Sequence, residues 1–272
     1  MSSSVAVKTA TAPPVREKPA LIKGILDTLA MTQRNLIAIR RVPQLLVFTF
    51  IQPVIFVLMF RYVFGGAIQV PNGSYVDFLM PGVFVQTVTF GAVASAVGIA
   101  TDVQSGLLER FRSLPMSRAA VLAGRTTADL VRSTFVVILM LIVGYIVGFR
   151  VHTNVGDFLA GMALLILFCY VLSWLFITVG LALREPESAQ AAAFPIMAPL
   201  VFASSAFVPV SSMPGWLQPF ANHQPVSVTA SAVRALMLGG SAQSDLLQSL
   251  GWSILIICVV APIAVWMYRK SA

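Results

Sequence analysis

The usual equipment for hydrolysing ATP is a G-x-x-x-x-G-K-[ST] loop, whose backbone amides and lysine cradle the phosphates. None of the four lysines, Lys8, Lys18, Lys23 and Lys270, follows such a glycine pattern. Metal chemistry requires His, Cys or carboxylates at ligand spacing, and neither H-E-x-x-H nor a cluster of that kind occurs. The two histidines fall in separate loops; His223, in Asn222-His223-Gln224-Pro225, is expected to order its loop through a hydrogen bond. Cys169 and Cys258 lie inside apolar runs and read as small core residues. Proton-coupled carriers place an ionisable group at membrane depth. Here the ten carboxylates fall in loops, tails or the ends of apolar runs, with Asp129 nearest to an exception. Arg125 and Arg132, four residues before it and three after, are expected to pair with it locally at the membrane interface. An intramembrane hydrolase would also need a buried acid or base. The chain therefore reads as one with no catalytic residue and no metal site of its own.

Composition says where such a chain resides. Of 272 residues, 58% are hydrophobic and 10% charged, against about 25% charged in a soluble domain. So few charges cannot solvate the surface of a globule this long, and the reading is an all-α membrane protein. A net charge of +8 invites nucleic acid as a partner, but that needs a basic face with interleaved aromatics. Here the basic residues follow the positive-inside rule instead, so nucleic acid is not expected.

Apolar runs long enough to cross a hydrocarbon core of about 30 Å occur at 43–64, 78–100, 130–149, 158–183, 189–208 and 246–268. Six spans return the chain to its starting side. With the N-terminus inside, only Arg61, Arg150 and Arg234 of the eighteen Lys and Arg fall outside, which puts both termini in the cytoplasm. Residues 1–19, rich in Ser, Thr, Ala and Pro, are expected to be a disordered tail without an apolar leader core, and 269–272 a second, short tail. Residues 20–41 read as an amphipathic helix lying in the interface. Lys23, Asp27, Arg34 and Arg41 form its polar stripe, Leu21, Ile22, Ile25, Leu29, Leu36 and Ile39 lie opposite, and Arg40 and Arg41 mark the membrane edge. Residues 209–243 are too apolar for an ordinary loop and too broken for a span. They are expected to make a re-entrant or interfacial excursion on the outer side, containing His223, Arg234 and a short helix over 226–238, with Trp216 and Phe220 in an interfacial belt.

One charged stretch, Gln104–Arg118 (QSGLLERFRSLPMSR), stands between the second and third runs. Ser105 is placed to cap a helix; Leu107, Leu108, Phe111 and Leu114 recur at helical spacing, while Glu109, Arg110 and Arg112 face elsewhere and Pro115 stops the turn. Periodicity fits two roles equally: a loop helix lying on lipid headgroups, or a docking helix whose Phe and Leu enter a groove on a partner.

The GLLERFRSLPMSR loop, together with the later MPGWLQPF…NHQPVS…RAL segment, resembles the membrane subunit of ABC-2-type exporters, in particular the daunorubicin-resistance permease group. The likeness covers nearly the whole chain. It implies a permease in the bacterial cytoplasmic membrane that exports an amphipathic drug, lipid or polyketide-like substrate. Two copies of a separate nucleotide-binding subunit would hold the ATP and Mg, and a second permease, identical or related, would complete the pathway. On this resemblance residues 104–115 form the coupling helix, with Leu107, Leu108, Glu109, Arg110, Phe111, Arg112, Leu114 and Pro115 docking the ATPase. Residues Lys23 to Arg41 form the connecting helix along the interface. Gln52, Phe56, Phe60, Gln86, Thr87, Thr89 and Phe90 are candidates for the substrate pathway. An ion-coupled carrier or channel, or a membrane scaffold, remains as the alternative.

Overall fold

Residues 20–40, 43–65, 74–107 and 118–270 are described by the computed structural model. Every regular element among them is helical: α1 (Ala20–Arg40), α2 (Pro43–Met59) continued by a π-turn (Phe60–Phe64), α3 (Tyr75–Gln104), α4 (Arg118–Val147), α5 (Val155–Leu183), α6 (Pro186–Phe202), a 3-10 turn (Val210–Ser212), α7 (Gln218–His223), α8 (Pro225–Leu238) and α9 (Gln243–Lys270). Local chemistry marks the ends. Ser74 Oγ accepts the Val76 amide at 3.2 Å to start α3, and Asn154 Oδ1 accepts the Asp157 amide at 2.8 Å to start α5. At Arg184 the backbone turns left-handed (φ 60°), and Pro186 opens α6 two residues later.

Within the described residues four helices are long and apolar enough to cross a membrane: 75–104, 120–147, 155–183 and 243–268. The first and fifth expected spans coincide with α2 and α6, which are shorter, 17 residues each. The chain's centre is α3. It packs against α2, α4, α5, α6 and α8 and is buried without a break from Leu79 to Thr89. By contrast, α4 exposes Phe135, Ile138, Ile142 and Ile146, and α9 exposes Ile254, Leu255, Val259 and Trp266. A helix apolar all round belongs in the core of a bundle, while outer helices offer their aliphatic stripes to lipid.

Two glycines let backbones meet. A Cβ on Gly180 of α5 would overlap the Ala96 carbonyl of α3, and one on Gly82 of α3 would overlap the Ala206 carbonyl. The second contact matters most. The fifth expected span reaches residue 208, but α6 stops at Phe202 and residues 203–208 are non-helical, with Ser204, Ser205, Ala206 and Phe207 buried. Buried irregular backbone needs partners, and side chains provide them. Ser204 Oγ donates to Val201 O and accepts the Ala206 amide; Ser227 Oγ accepts the Ser205 amide; Tyr75 Oη donates to Phe207 O. Arg234 donates to Phe78 O at 3.0 Å and Ser205 O at 2.8 Å, with its guanidinium 3.8 Å over the Phe78 ring. The Ser204 and Ser227 hydroxyls thus stand in for helical partners of the Ala206 and Ser205 amides. Gly82→Val would push this knot off α3, and an unfolding titration of the purified chain in SDS is expected to show a loss of about 2–3 kcal/mol.

After α7 the chain turns at Gln224 into α8, which the sequence placed over 226–238 and which runs over Pro225–Leu238. α8 lies antiparallel to α9: Trp252 Nε1 donates to the His223 carbonyl at 2.8 Å, and Thr229 and Ser249 hydroxyls meet at 2.7 Å. His223 therefore stands beside the tenth residue of α9, about 13 Å along that helix from its start at 1.5 Å per residue.

At the opposite end of the bundle α1 lies across α4. A Cβ on Gly124 would overlap Met31 Cβ and approach Thr28 O to 2.9 Å, and Thr32 Oγ1 reaches Gly124 O at 3.2 Å. Met31, Ile99, Leu122, Trp174 and Tyr268 form a separate apolar cluster there. Ile22, Ile25 and Leu29, on the other side of α1, are exposed.

Candidate functional site

The residues with chemical potential gather along the α3–α4 contact. Arg125, Asp129 and Arg132 are spaced four and three residues apart on α4, so they share one face. Facing them in antiparallel register are Gly98, Ser95 and Gly91 of α3. The Arg125 guanidinium occupies the space a Cβ on Gly98 would take. Ser95 Oγ donates to Asp129 Oδ2 at 2.5 Å, and Arg132 Nη2 donates to Gly91 O at 2.7 Å. The small residues of α3 thus make room for charged side chains of the same chain.

The expected pairing is corrected in two respects. Asp129 is only 4% exposed and lies well inside α4, so the rule that every carboxylate sits at a loop or span end fails at this residue. It pairs with Arg132 at 3.5 Å, whereas Arg125 crosses to Asp102 of α3 at 2.5 Å, where Arg34 of α1 joins from 3.3 Å. Sequence separation alone favoured two local partners; the packing of α1 and α3 supplies a second acid. Asp129 is held by one arginine and one hydroxyl of the same chain, contacts that give it a structural role.

Arg132 also lies in the wall of a cavity of about 510 Å³, within the 300–1,000 Å³ range of small-molecule sites. The cavity sits between α2 and α6, with α3 and α4 behind it. Its deep wall comprises Gln86, Thr87, Ser133, Val136 and Met197, all buried; Gln52, Gln190 and Phe194 are exposed and stand at its mouth. Gln86 is 3% exposed, and its Oε1 is buried without a hydrogen-bond partner.

Of the pathway candidates, Gln52, Gln86, Thr87 and Phe90 line this cavity together. Thr89 does not: it is fully buried and returns its hydroxyl to Val85 O at 2.7 Å. Phe56 and Phe60 stack instead on Phe207, with centroids 6.2 and 4.6 Å away. Arg132, Ser133, Gln190, Phe194 and Met197 were missed. For Arg132 the signal was present, in an i, i+4, i+7 polar face opposite a small-residue face. Gln190 and Phe194 both precede Pro195 in α6 and looked like ordinary span residues.

Elsewhere, Lys23, Asp27 and Arg34 lie on α1. The side chains of Arg40 and Arg41, and the docking candidates Leu108, Glu109, Arg110, Phe111, Arg112, Leu114 and Pro115, lie outside the described residues; Leu107 closes the described part of that loop. Trp216 and Phe220 are exposed near α7. His223 holds its ring Nδ1 2.9 Å from Pro219 O, and Arg234 is the clamp described above. Among the described residues no group of His, Cys, Asp and Glu could hold a metal ion.

Residues 27–238 match the model of the ABC-2 type transporter family. The chain belongs to that family. It is a membrane permease, and the match covers α2 to α8, including every residue of the cavity. Among similar proteins is the daunorubicin resistance ABC transporter permease protein DrrB1 of Streptomyces coeruleorubidus, 33% identical over 255 residues, 94% of this chain and 90% of the relative. The probable doxorubicin resistance ABC transporter permease protein DrrC of Mycobacterium tuberculosis is 28% identical over 250 residues, 91% of this chain and 90% of its own length. A putative transport permease, ycf38, of Cyanophora paradoxa is 24% identical over 260 residues, covering 90% and 89%.

Proposed function

We propose that this permease exports an amphipathic drug, lipid or polyketide-like molecule across a bacterial cytoplasmic membrane, driven by ATP hydrolysed on a separate subunit. The observation that carries the reading is the family match across an α2–α6 cavity whose wall mixes apolar side chains with side-chain amides and whose mouth is exposed. Two nucleotide-binding subunits hold ATP and Mg, and a second permease copy, identical or related, faces the first. The missing phosphate loop supports a separate source of energy. Six spans, with α2 and α6 as the first and fifth and both termini cytoplasmic, fit the Lys and Arg distribution. Residues 209–243 form an outer re-entrant segment; the depth at which His223 meets α9 supports this. Trp216 and Phe220 lie at the outer headgroups.

In this arrangement residues 104–115 receive the motor. ATP-driven closure of the nucleotide-binding subunits pushes on the loop, and α3 and α4, which it joins, pass the displacement to the cavity wall. Shifts of one or two ångströms at packed interfaces are enough to switch such assemblies between states. α1 lies in the inner headgroups, with Lys23, Asp27, Arg34, Arg40 and Arg41 on its polar side.

Affinity purification of the tagged chain from native membranes is expected to bring down an ATP-hydrolysing polypeptide. Recovery without one would overturn the reading. In inverted vesicles containing the pair, Glu109→Lys and Phe111→Ala are expected to lower ATP-driven doxorubicin uptake about tenfold or more, the scale of a lost interface anchor. The amount of inserted permease should not change. Normal copurification and uptake by both variants would remove the docking assignment.

A further inference from the structure

We infer that Gln86 determines specificity in the cavity by hydrogen-bonding a hydroxyl of an otherwise apolar ligand. The cavity is rich in acceptors that the chain itself leaves unused. Gln86 lines the cavity, and its Oε1, enclosed behind the wall, has no partner. Pro195 has no amide hydrogen, so the Ala191 carbonyl four residues earlier, also on the wall, loses its helical donor. Gln52 and Gln190 add two more amides at the mouth. The charge present is spoken for: Arg132 is paired with Asp129 and bonded to Gly91 O. Apart from this paired arginine, the wall offers a ligand neutral amide, hydroxyl and carbonyl groups set among Phe90, Phe194 and Met197.

An unpaired buried acceptor discriminates by what it lacks. A ligand bringing a donor completes it, and one bringing a methyl in the same place leaves it unpaired and desolvated. The last torsion of a glutamine is soft, so the Gln86 amide can turn its oxygen toward a donor or its NH₂ toward an acceptor. A hydroxyl, being both, suits either orientation. A hydroxylated aromatic or a glycosylated apolar molecule has this chemistry; a plain hydrocarbon or a simple quaternary cation does not.

The inference rests on the exporter reading for what fills the cavity, so its test measures binding apart from transport. Doxorubicin and the same molecule with its hydroxyls converted to methyl ethers are titrated by fluorescence into the purified full chain, with its copurifying ATPase, in the absence of ATP. Wild type is expected to prefer the hydroxylated form about tenfold, the scale of one hydrogen bond. Gln86→Met, close in shape, should bring the ratio to about one, while Gln86→Glu, which keeps the acceptor, should retain a preference. Gln190→Met, at the exposed mouth, is expected to lower affinity for the hydroxylated form about twofold without disturbing the core. Equal binding of the two probes by wild type, no saturable binding of either, or an undiminished ratio in Gln86→Met overturns the inference. If ATP-driven uptake persists in that event, the exporter reading stands alone. If the ratio behaves as expected but no uptake depends on ATP, the exporter reading falls and the Gln86 assignment stands.

Discussion

Asp129→Ala is expected to destabilise the permease by about 3–5 kcal/mol, the usual cost of leaving one member of a buried ion pair behind. Arg132, its side chain 12% exposed, would keep only the Gly91 carbonyl, and Ser95 would lose its acceptor. Arg132→Met alone leaves the Asp129 carboxylate with Ser95 and should cost a similar amount. The double variant, Asp129→Ala with Arg132→Met, removes both charges and is expected to recover most of the loss, because a buried pair often contributes little beyond an apolar replacement. Unfolding titrations in SDS on all four forms complete the cycle. Two single variants within 0.5 kcal/mol of wild type would mean that the pair is solvated rather than buried as described.

That pair also shows what was legible in the sequence. The charge-poor composition, the long apolar runs and the helix over 226–238 follow from hydropathy and period, which depend on near neighbours along the chain. The polar contacts do not. Asp129 could be matched by spacing with Arg125 and Arg132 alike, and only the placement of Asp102 on α3, reached by Arg125 across a gap made by Gly98, decides between them. The face of Gly91, Ser95 and Gly98 was readable as a site of close packing, but what packs there is charged side chains of α4.

The cavity was half legible. Gln52, Gln86 and Thr87 stood out because polar groups in an apolar run are costly without a purpose, and Phe90 as an aromatic that could line a path beside them. Phe56 and Phe60 met the same criterion, yet stack on Phe207. Nothing local distinguishes an aromatic facing a cavity from one facing another aromatic. The span's end differs where serine intervenes: α6 stops at Phe202, and the Ala206 and Ser205 amides beyond it turn to the hydroxyls of Ser204 and Ser227, a competition that hydropathy does not register.

The largest effect on coupling is expected at Asp102. Its carboxylate holds Arg34 of α1 at 3.3 Å and Arg125 of α4 at 2.5 Å, so one acid ties three helices at the end of α3 that leads into the 104–115 loop. In Asp102→Ala the two cations face each other without it, and Arg125, whose Nε already lacks a partner, is held beside Gly98 by packing alone. α1 then rests on α4 mainly through Gly124, Met31 and Thr32. Hydrogen–deuterium exchange over α1 is expected to quicken about tenfold or more, since losing roughly 1.5–3 kcal/mol of charge-assisted bonding raises the open fraction in proportion. ATP-driven uptake should fall with it, because a push delivered at the loop would be taken up by slack between α1, α3 and α4 before reaching the cavity. Asp102→Glu, which keeps the charge, should restore slow exchange and most of the uptake. Exchange over α1 unchanged in Asp102→Ala would mean that apolar packing alone seats this helix, and that the three-way ion pair adds nothing to the link.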